Sequence, residues 1–337
     1  MADFLVGGYT RPGEHGGVRR IRPGTIGTEV AAETPDPSFL LASPDHADLL
    51  YAVDEGGDAV VALRSSAEGD GVVVARVAAA GSAPCHLALV QAGRLLLAAC
   101  YVDGVVSAHP VDGDGIPGAG TALPAPTPAP NGPHPAQDGP HAHSSLEVGG
   151  LLLVADLGTD RVLVYRPTEV GFAFDGAIPA PPGSGPRDLL ATPSGDVLLL
   201  GEHDSRIHVI DVAARRIRAS VSTTIDPTPG DQASGMTLVG SRLTVGLRGS
   251  DRIALLRLGD DGVPVPVDSA ATGGTWPRHH AIDGDRLLIA NERSGTVTEL
   301  PFRSDVSLGT PGPVARTPSP TFLLEASPWS PTRAASR

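Results

Sequence analysis

Seven short apolar segments recur along this chain at intervals of about 45 residues, and this internal repeat constrains the fold more than any other feature. The first covers residues 4–9, and the other six begin at Leu49, Leu95, Leu151, Val197, Leu243 and Leu287. A period of this length, with no helical spacing inside it, is typical of a propeller blade. We therefore predict an all-β fold, a seven-bladed β-propeller.

Each repeat shows the pattern of a four-stranded meander. An entry segment comes first and begins with proline in residues 37–40, 84–87, 140–143, 186–189, 277–280 and 320–323. The fifth repeat, near Ser234 and Met236, lacks the proline. A polar turn, a leucine-rich strand, a second turn and a valine-rich strand such as residues 161–165 follow, as expected for consecutive antiparallel strands.

The two ends of the chain complement each other. Residues 4–9 match the second strand of a repeat but have no entry strand before them, whereas residues 321–324 match an entry strand alone. We expect the last blade to be closed by the N- and C-terminal strands, which leaves no open edge. The prediction is a single propeller domain over residues 1–326, followed by a disordered tail over residues 327–337.

The charge of the chain argues against polyanionic partners. It carries 38 acidic and 25 basic residues, a net charge of −13, and every basic residue is arginine. We therefore expect no nucleic-acid partner and no anionic membrane surface. The absence of lysine also excludes Schiff-base chemistry and a phosphate-loop lysine.

The chain has two cysteines, Cys85 and Cys100, both in the second repeat. A secreted disulfide scaffold normally carries more cysteines and follows a signal peptide, so we expect two reduced, mostly buried thiols. No apolar run approaches the roughly 18 residues that a membrane span needs. The sequence therefore predicts a cytoplasmic protein.

A proline-rich loop over residues 116–139 holds most of the extra residues of the third repeat. Its Pro-Ala alternation from Pro124 to Pro130 predicts an extended loop and not a strand. The loop leads directly to His141 and His143. Two interpretations stay open, a lid over a site and a solvent-exposed spacer.

Equivalent positions of a propeller surround one axis, so the start of every entry strand should line the mouth of the central channel. Most repeats carry a small residue there, but three carry His143, Arg187 and Arg278. Nearby polar side chains belong to His86, His279 and His280. Such a set converging on one cavity predicts a binding site.

A second set of polar residues follows the leucine-rich strand. It consists of Asp54, Asp156, Glu202 and Glu292, four residues after the central leucine. Glu202 belongs to the same blade as Arg187, where a carboxylate would stay ionised and either orient the arginine or activate water. The other three also fit structural turns.

Other interpretations of these side chains stay open. His141 and His143 form a His-x-His pair that suits a metal, but no spacing fixes the third ligand of a zinc site. Arg187 and Arg278 also suit structural salt bridges between blades. We expect contact with substrate for the histidines, and no bound metal or cofactor.

Four segments carry a resemblance to a known family: residues 139–144 (Gly-Pro-His-Ala-His-Ser), 155–162, 183–187 and 276–278 (Trp-Pro-Arg). The chain resembles the seven-bladed lactonase family, which includes propeller-type 6-phosphogluconolactonases and fungal carboxy-muconate cyclases. The resemblance extends over essentially the whole chain. It implies a lactone-processing site of one histidine, two arginines and one glutamate, which correspond to His143, Arg187, Glu202 and Arg278.

Two positions depart from the family pattern. Asp188 stands where the family usually has histidine, and Gly201 where it usually has asparagine. Neither change removes a proposed catalytic group. A carboxylate beside Arg187 would, however, disfavour a phosphorylated or polyanionic ligand.

The resemblance and the residues together predict a metal-independent sugar lactonase of the 6-phosphogluconolactonase type. We expect a monomer that binds a small-molecule lactone as its substrate. His143 or Glu202 would accept the proton of the attacking water, and both arginines would bind the substrate or its oxyanion. The predicted substrate contacts are His86, His141, His279 and Asp156. The alternatives are a muconate-type lactonizing cycloisomerase and a non-catalytic propeller that binds a ligand or protein.

Overall fold

The computed structural model describes residues 2–10, 16–22, 25, 27–66, 70–303 and 307–326. The regular secondary structure of these residues consists of 28 β-strands. In the same residues, no helix has the length and apolar character that crossing a membrane requires. The predicted tail, residues 327–337, lies outside the described residues.

The first eleven strands follow the chain from the N-terminus through the second blade. Their bounds are β1 Phe4–Gly8, β2 Val18–Ile21, β3 Glu29–Ala32, β4 Leu40–Ala42, β5 Leu49–Asp54, β6 Ala59–Ser65, β7 Gly71–Ala78, β8 Pro84–Val90, β9 Leu95–Cys100, β10 Val106–Pro110 and β11 Thr121–Ala122. Strands β4–β7 form blade 1, and strands β8–β11 form blade 2.

The next strands form blades 3 to 6, four consecutive strands to each blade. Blades 3 and 4 consist of β12 Ala142–Val148, β13 Leu151–Asp156, β14 Arg161–Thr168, β15 Gly171–Pro179, β16 Pro186–Ala191, β17 Val197–Gly201, β18 Arg206–Asp211 and β19 Arg216–Ser222. Blades 5 and 6 consist of β20 Ala233–Val239, β21 Arg242–Leu247, β22 Arg252–Leu258, β23 Pro264–Ala271, β24 Pro277–Asp283, β25 Arg286–Asn291, β26 Thr296–Pro301 and β27 Gly312–Arg316.

The seventh blade joins the two ends of the chain, as the sequence predicts. The last strand, β28 (Pro320–Glu325), pairs antiparallel with β1, and β2 and β3 complete the blade. A single parallel pair, Ala32 with Gly71, joins β3 to β7 of blade 1 in one eight-stranded sheet. The entry strands contact one another in a closed cycle: β4, β8, β12, β16, β20, β24, β28 and again β4. The predicted seven-bladed propeller and its closure by both termini are confirmed.

The hydrophobic core consists of aliphatic layers between neighbouring blades. Along β13, Leu153 and Ala155 pack against blade 4, whereas Leu152 and Val154 pack against blade 2. Both faces of the strand are therefore buried, although successive side chains point in opposite directions. Burial on both faces explains why the second strand of each repeat is a continuous apolar run and does not alternate.

The proline-rich loop contains one strand that the sequence did not predict. Thr121 and Ala122 pair with β10 and form the fourth strand of blade 2, so the expectation of an unbroken loop over residues 116–139 is wrong there. The following segment has no strand until β12. Gln137 anchors it, because its Nε2 donates to Leu157 O (2.7 Å) and to Asp160 Oδ1 (2.8 Å).

Closure of the ring by β28 leads to a stability prediction. Leu323 is buried on β28 and packs in one cluster with Phe4 of β1 and Leu288 of blade 6. We expect Leu323→Ala to lower the free energy of unfolding by about 2–5 kcal/mol. Urea denaturation measures this loss. The control Val265→Ala, at an exposed position of β23, should change the stability by less than about 1 kcal/mol. Equal losses in the two variants would contradict the role of β28.

Candidate active site

A β-bulge at the start of the entry strands directs one side chain of each affected strand toward the axis. In blade 4, Pro186 pairs with Gly201 and Asp188 pairs with Leu200, so Arg187 has no partner in the ladder. The pairing shifts in the same way around His143 in blade 3 and around Arg278 in blade 6. An unpaired bulge residue is a common device for aiming a side chain at a site.

The equivalent residues of all seven blades form what we call the bulge ring. Its members line one cavity of about 220 Å³. They are Ser38, Cys85, His143, Arg187, Ser234, Arg278 and Thr321. The repeat thus places three predicted catalytic side chains, His143, Arg187 and Arg278, around a common space.

The seven residues that follow the bulge ring also line the cavity, and four of them form an aromatic wall. The ring of Phe39 lies 4.6 Å from His86 and 4.3 Å from Phe322, and Phe322 stacks on His279 at 3.9 Å. Burial lowers the pKa of His86 to about 4 and that of His279 to about 3. Both predicted substrate-binding histidines therefore reach the cavity as neutral rings.

Asp188 lines the cavity as well. Its Oδ2 accepts a hydrogen bond from the Met236 N–H (2.9 Å), and its Oδ1 accepts one from the Leu189 N–H (3.0 Å). Burial raises the pKa of this carboxyl group. The position at which the chain departs from the family pattern therefore adds an acidic group to the cavity.

A second ring surrounds the axis one residue after the second strand of each blade. Each member donates its backbone N–H to the carbonyl oxygen of the residue two positions before the bulge residue of its own blade. Glu202 N–H, for example, donates to Gly185 O (2.8 Å). We call it the strand-end ring: Tyr9, Glu55, Tyr101, Leu157, Glu202, Arg248 and Glu292.

The strand-end ring corrects two sequence predictions. Asp54 and Asp156 each lie one residue before the strand-end ring. Glu55 and Leu157 make the backbone hydrogen bond equivalent to that of Glu202. The apolar runs of the second strands are buried on both faces, so their pattern does not fix the register.

Both displaced carboxylates have structural partners. Asp54 pairs with Arg76 (2.6 Å), and Asp156 accepts a hydrogen bond from the His141 N–H (3.0 Å) and lies 3.4 Å from Arg161. Asp156, a predicted substrate contact, is not among the residues that line the cavity.

On one side of the site, Glu202 lies between two arginines. Arg187 Nη1 donates to Glu202 Oε2, and Arg248 Nη2 lies 2.9 Å from Oε1. Arg187 Nε also donates to Ser234 O (2.6 Å). Burial would raise the pKa of Glu202, but Arg187 and Arg248 together hold it well below the usual range. Glu202 is therefore an ionised carboxylate that fixes Arg187 beside the cavity.

On the other side of the site, Arg278 belongs to a separate network. Its Nη1 lies 3.2 Å from Glu292 Oε2, and its Nη2 donates to Tyr9 Oη (3.2 Å). Tyr9 in turn donates to Glu55 Oε1 (3.2 Å), and Ser38 Oγ donates to Glu55 Oε2. Glu55 lines the cavity. Burial raises the pKa of Glu55, and it raises the pKa of Tyr9 to about 12.

His143 faces the cavity between these two networks. The edge of its ring meets Tyr101, with the ring centroids 5.9 Å apart. Burial, and then the positive charge of Arg187, hold the pKa of His143 well below its usual range. The side chain is therefore a neutral imidazole at physiological pH.

His141, a predicted substrate contact, is not among the residues that line the cavity. Its Nδ1 lies 2.6 Å from Tyr101 O, its Nε2 lies 2.9 Å from Asp138, and its ring stacks on Tyr101. His280 is likewise absent from the cavity lining and contacts Thr244 (2.9 Å). The described part of the chain contains no group of three or more histidine, cysteine, aspartate or glutamate side chains placed to hold a metal.

Sequence reasoning missed four important residues of the site: Tyr9, Glu55, Tyr101 and Arg248. A signal existed, because each is the first residue after a second strand. Shifting the alignment of the first three blades by one residue would have aligned Glu55 and Tyr101 with Glu202.

The two cysteines are free thiols, and Cys85 is the bulge residue of blade 2.

The position of Glu202 between two arginines predicts a large effect on stability. In Glu202→Gln, Arg187 and Arg248 lose a buried counter-charge, and we expect a loss of about 3–5 kcal/mol in the free energy of unfolding at pH 7. The control Glu299→Gln removes a partly exposed partner of Arg286 and should cost about 1 kcal/mol or less. Urea denaturation at several pH values gives both numbers.

The stability difference between wild type and Glu202→Gln should depend on pH. The pKa of Glu202 is lower in the folded protein than in the unfolded chain, so its stabilising contribution is complete above the ordinary pKa of glutamate. The contribution is lost as the pH falls toward the folded-state pKa. The gap between wild type and Glu202→Gln should therefore narrow in acid, and a constant gap would contradict the ion-pair assignment.

The chain is similar over most of its length to proteins named as lactonases. A periplasmic gluconolactonase of Pseudomonas aeruginosa superposes with a TM-score of 0.84 at 25% identity, and the match covers 96% of this chain and 98% of that one. A 6-phosphogluconolactonase of Bacillus subtilis (strain 168) is 25% identical over 315 residues, 87% of this chain and 88% of that protein. A 6-phosphogluconolactonase of Pectobacterium carotovorum subsp. carotovorum (strain PC1) is 23% identical over 305 residues, 87% and 85% of the two chains.

The family comparison covers nearly all of the described residues. The family model described as "Lactonase, 7-bladed beta-propeller" matches residues 3–324. This span includes all seven blades, the bulge ring and the strand-end ring. The chain belongs to the seven-bladed β-propeller lactonase family.

Proposed function

We propose that this protein hydrolyses a sugar lactone in the cavity inside the bulge ring. The observation that carries the proposal is the placement of two arginines, the buried Arg187 and the partly buried Arg278, on bulges facing a common space with His143 and Glu55. The cavity volume of about 220 Å³ lies below the range of roughly 300–1,000 Å³ that holds drug-sized ligands. A single-ring substrate suits this size.

The arginines supply the electrostatic part of the reaction. When water attacks the lactone carbonyl carbon, negative charge develops on the carbonyl oxygen, and fixed guanidinium groups stabilise it. Arg187 is held by Glu202 and by Ser234 O, and Arg278 is held by Glu292 and Tyr9. Because the protein already orients these groups, little reorganisation is needed in the transition state.

Water attack and ring opening also require movement of one proton. The attacking water loses a proton as its oxygen bonds to the carbonyl carbon, and the ring oxygen gains a proton as the bond between it and that carbon breaks. A general base at this step is typically worth about 100- to 10,000-fold. His143 and the carboxylates of the cavity are the candidate proton acceptors.

The charge balance of the cavity favours an unphosphorylated lactone. Arg187 and Arg278 each pair with a glutamate, and the carboxyl groups of Asp188 and Glu55 also line the cavity. The nearby His86 and His279 are neutral. Little positive charge is left for a phosphate group, whereas the hydroxyl groups of an aldonolactone can bind carboxylates.

The proposed reaction requires no metal ion, because the two arginines take the place of a Lewis acid at the carbonyl oxygen. The described residues bring no three histidine, cysteine, aspartate or glutamate side chains into a metal-binding group. We therefore expect treatment with a chelator to leave the activity unchanged.

The test is lactone hydrolysis by purified, chelator-treated protein. We expect D-glucono-1,5-lactone to be hydrolysed with a higher kcat/KM than its 6-phospho counterpart. Arg187→Ala should lower kcat/KM by at least about 100-fold, through loss of oxyanion stabilisation. The control Arg166→Ala removes an exposed arginine that pairs with Asp175 on blade 3, and it should match wild type.

Three results would count against the proposal. No hydrolysis above the spontaneous rate with either lactone would favour a binding propeller. Turnover of a muconolactone alone would favour a cycloisomerase. Equal activity of Arg187→Ala and wild type would remove Arg187 from the mechanism.

A further inference from the structure

Glu55 occupies the position in blade 1 that Glu202 occupies in blade 4. Both belong to the strand-end ring, and each donates its N–H to the residue two positions before the bulge residue of its blade, Asp36 O for Glu55 (3.2 Å) and Gly185 O for Glu202 (2.8 Å). Glu55 lines the cavity, whereas Glu202 lies behind Arg187 and is absent from the lining. Of these two equivalent carboxylates, Glu55 is the one that a substrate can reach.

The hydrogen-bond partners of the two carboxylates differ in charge. Both oxygens of Glu202 face guanidinium groups, those of Arg187 and Arg248. Both oxygens of Glu55 accept from neutral hydroxyl groups, those of Tyr9 and Ser38. A carboxylate between two cations binds a proton weakly, whereas one held by hydroxyl groups in a buried place keeps its basicity.

The charged and titratable groups around Glu55 agree with this difference. Burial is the largest influence on the pKa of Glu55 and raises it. The hydrogen bonds from Ser38 and Tyr9 and the charge of Arg278 lower it, Asp36 raises it, and the net shift is upward. The nearby Cys85 thiol has its own pKa raised by burial, so it stays uncharged. Tyr9 also stays protonated, since its pKa is about 12.

His143 is a weak rival for the proton. Burial disfavours its charged form, and the positive charges of Arg187 and Arg278 disfavour it further. A proton transferred to this imidazole would create a third cation beside two arginines. Asp188 is the other carboxyl group of the lining and directly follows the bulge residue Arg187. Its two oxygens already accept hydrogen bonds from two backbone N–H groups.

We propose that Glu55 is the general base of the lactonase reaction and that Glu202 is a positioning residue for Arg187. The inference rests on the proposed function. Glu55 takes a proton from water as the water oxygen bonds to the lactone carbonyl carbon. It returns that proton to the ring oxygen when the bond between the ring oxygen and the carbonyl carbon breaks. Tyr9 and Ser38 hold the carboxylate in place during both steps.

The experiment compares pH profiles of kcat/KM for wild type, Glu55→Gln and Glu202→Gln with D-glucono-1,5-lactone. In wild type, activity should fall in acid as Glu55 becomes protonated, with a midpoint above the usual range of glutamate. Glu55→Gln should lose about 100- to 10,000-fold in kcat/KM and should lose this acid limb. Glu202→Gln should lose activity but keep the acid limb, and the control Glu299→Gln should behave as wild type.

A second variant covers the case in which Glu55→Gln fails to fold. Ser38→Ala removes one hydrogen bond to the ionised Glu55, so the acid limb should move to higher pH. Two results overturn the inference: an unchanged acid limb in Ser38→Ala, and a folded Glu55→Gln variant that keeps its activity. In either case, hydrolysis by the wild type would still support the proposed lactonase function. Asp188→Asn abolishing the acid limb would reassign the base to Asp188. Absence of wild-type hydrolysis would overturn both proposals.

Discussion

The site depends on one backbone feature, the β-bulge at the start of the entry strands. Without the extra residue, the side chains of His143, Arg187 and Arg278 would alternate with their neighbours between the packed faces of the blades. The bulge removes them from the ladder and directs them to the axis. Because the entry strands form a closed cycle, seven equivalent positions surround one cavity. Closure of the last blade by β1 and β28 therefore shapes the site as well as stabilising the ring.

The strand-end ring determines what the bulge ring can do. On one side of the site, Glu202 restrains Arg187 and also pairs with Arg248. On the other side, Tyr9, Glu55 and Glu292 surround Arg278. Arg187 is buried and Arg278 is partly buried, and each has a carboxylate counter-charge that offsets the cost of removing it from water. The arrangement leaves two fixed guanidinium groups, a neutral imidazole and a basic carboxylate around one small space.

The sequence predicted the fold and the bulge ring because both repeat with the blade. Proline directly precedes Arg187 and Arg278, so these two could be assigned by counting from it. His143 follows Pro140 by three residues, and its assignment depended on the match to the family's histidine. The strand-end ring could not be assigned with the same certainty, since strands buried on both faces carry no alternation that marks their register. Contacts that cross between blades, such as Tyr9 with Arg278 and Arg248 with Glu202, join residues far apart in sequence and leave no local pattern.

The most direct measurement for the proposed lactonase site is a crystal structure with D-gluconolactam, in which nitrogen replaces the ring oxygen of the lactone. The account predicts that the lactam ring occupies the cavity, with its carbonyl oxygen about 2.7–3.1 Å from guanidinium nitrogens of Arg187 and Arg278. It also predicts a water molecule between Glu55 and the carbonyl carbon. A lactam bound outside the bulge ring, or one whose carbonyl points away from both arginines, would contradict the account.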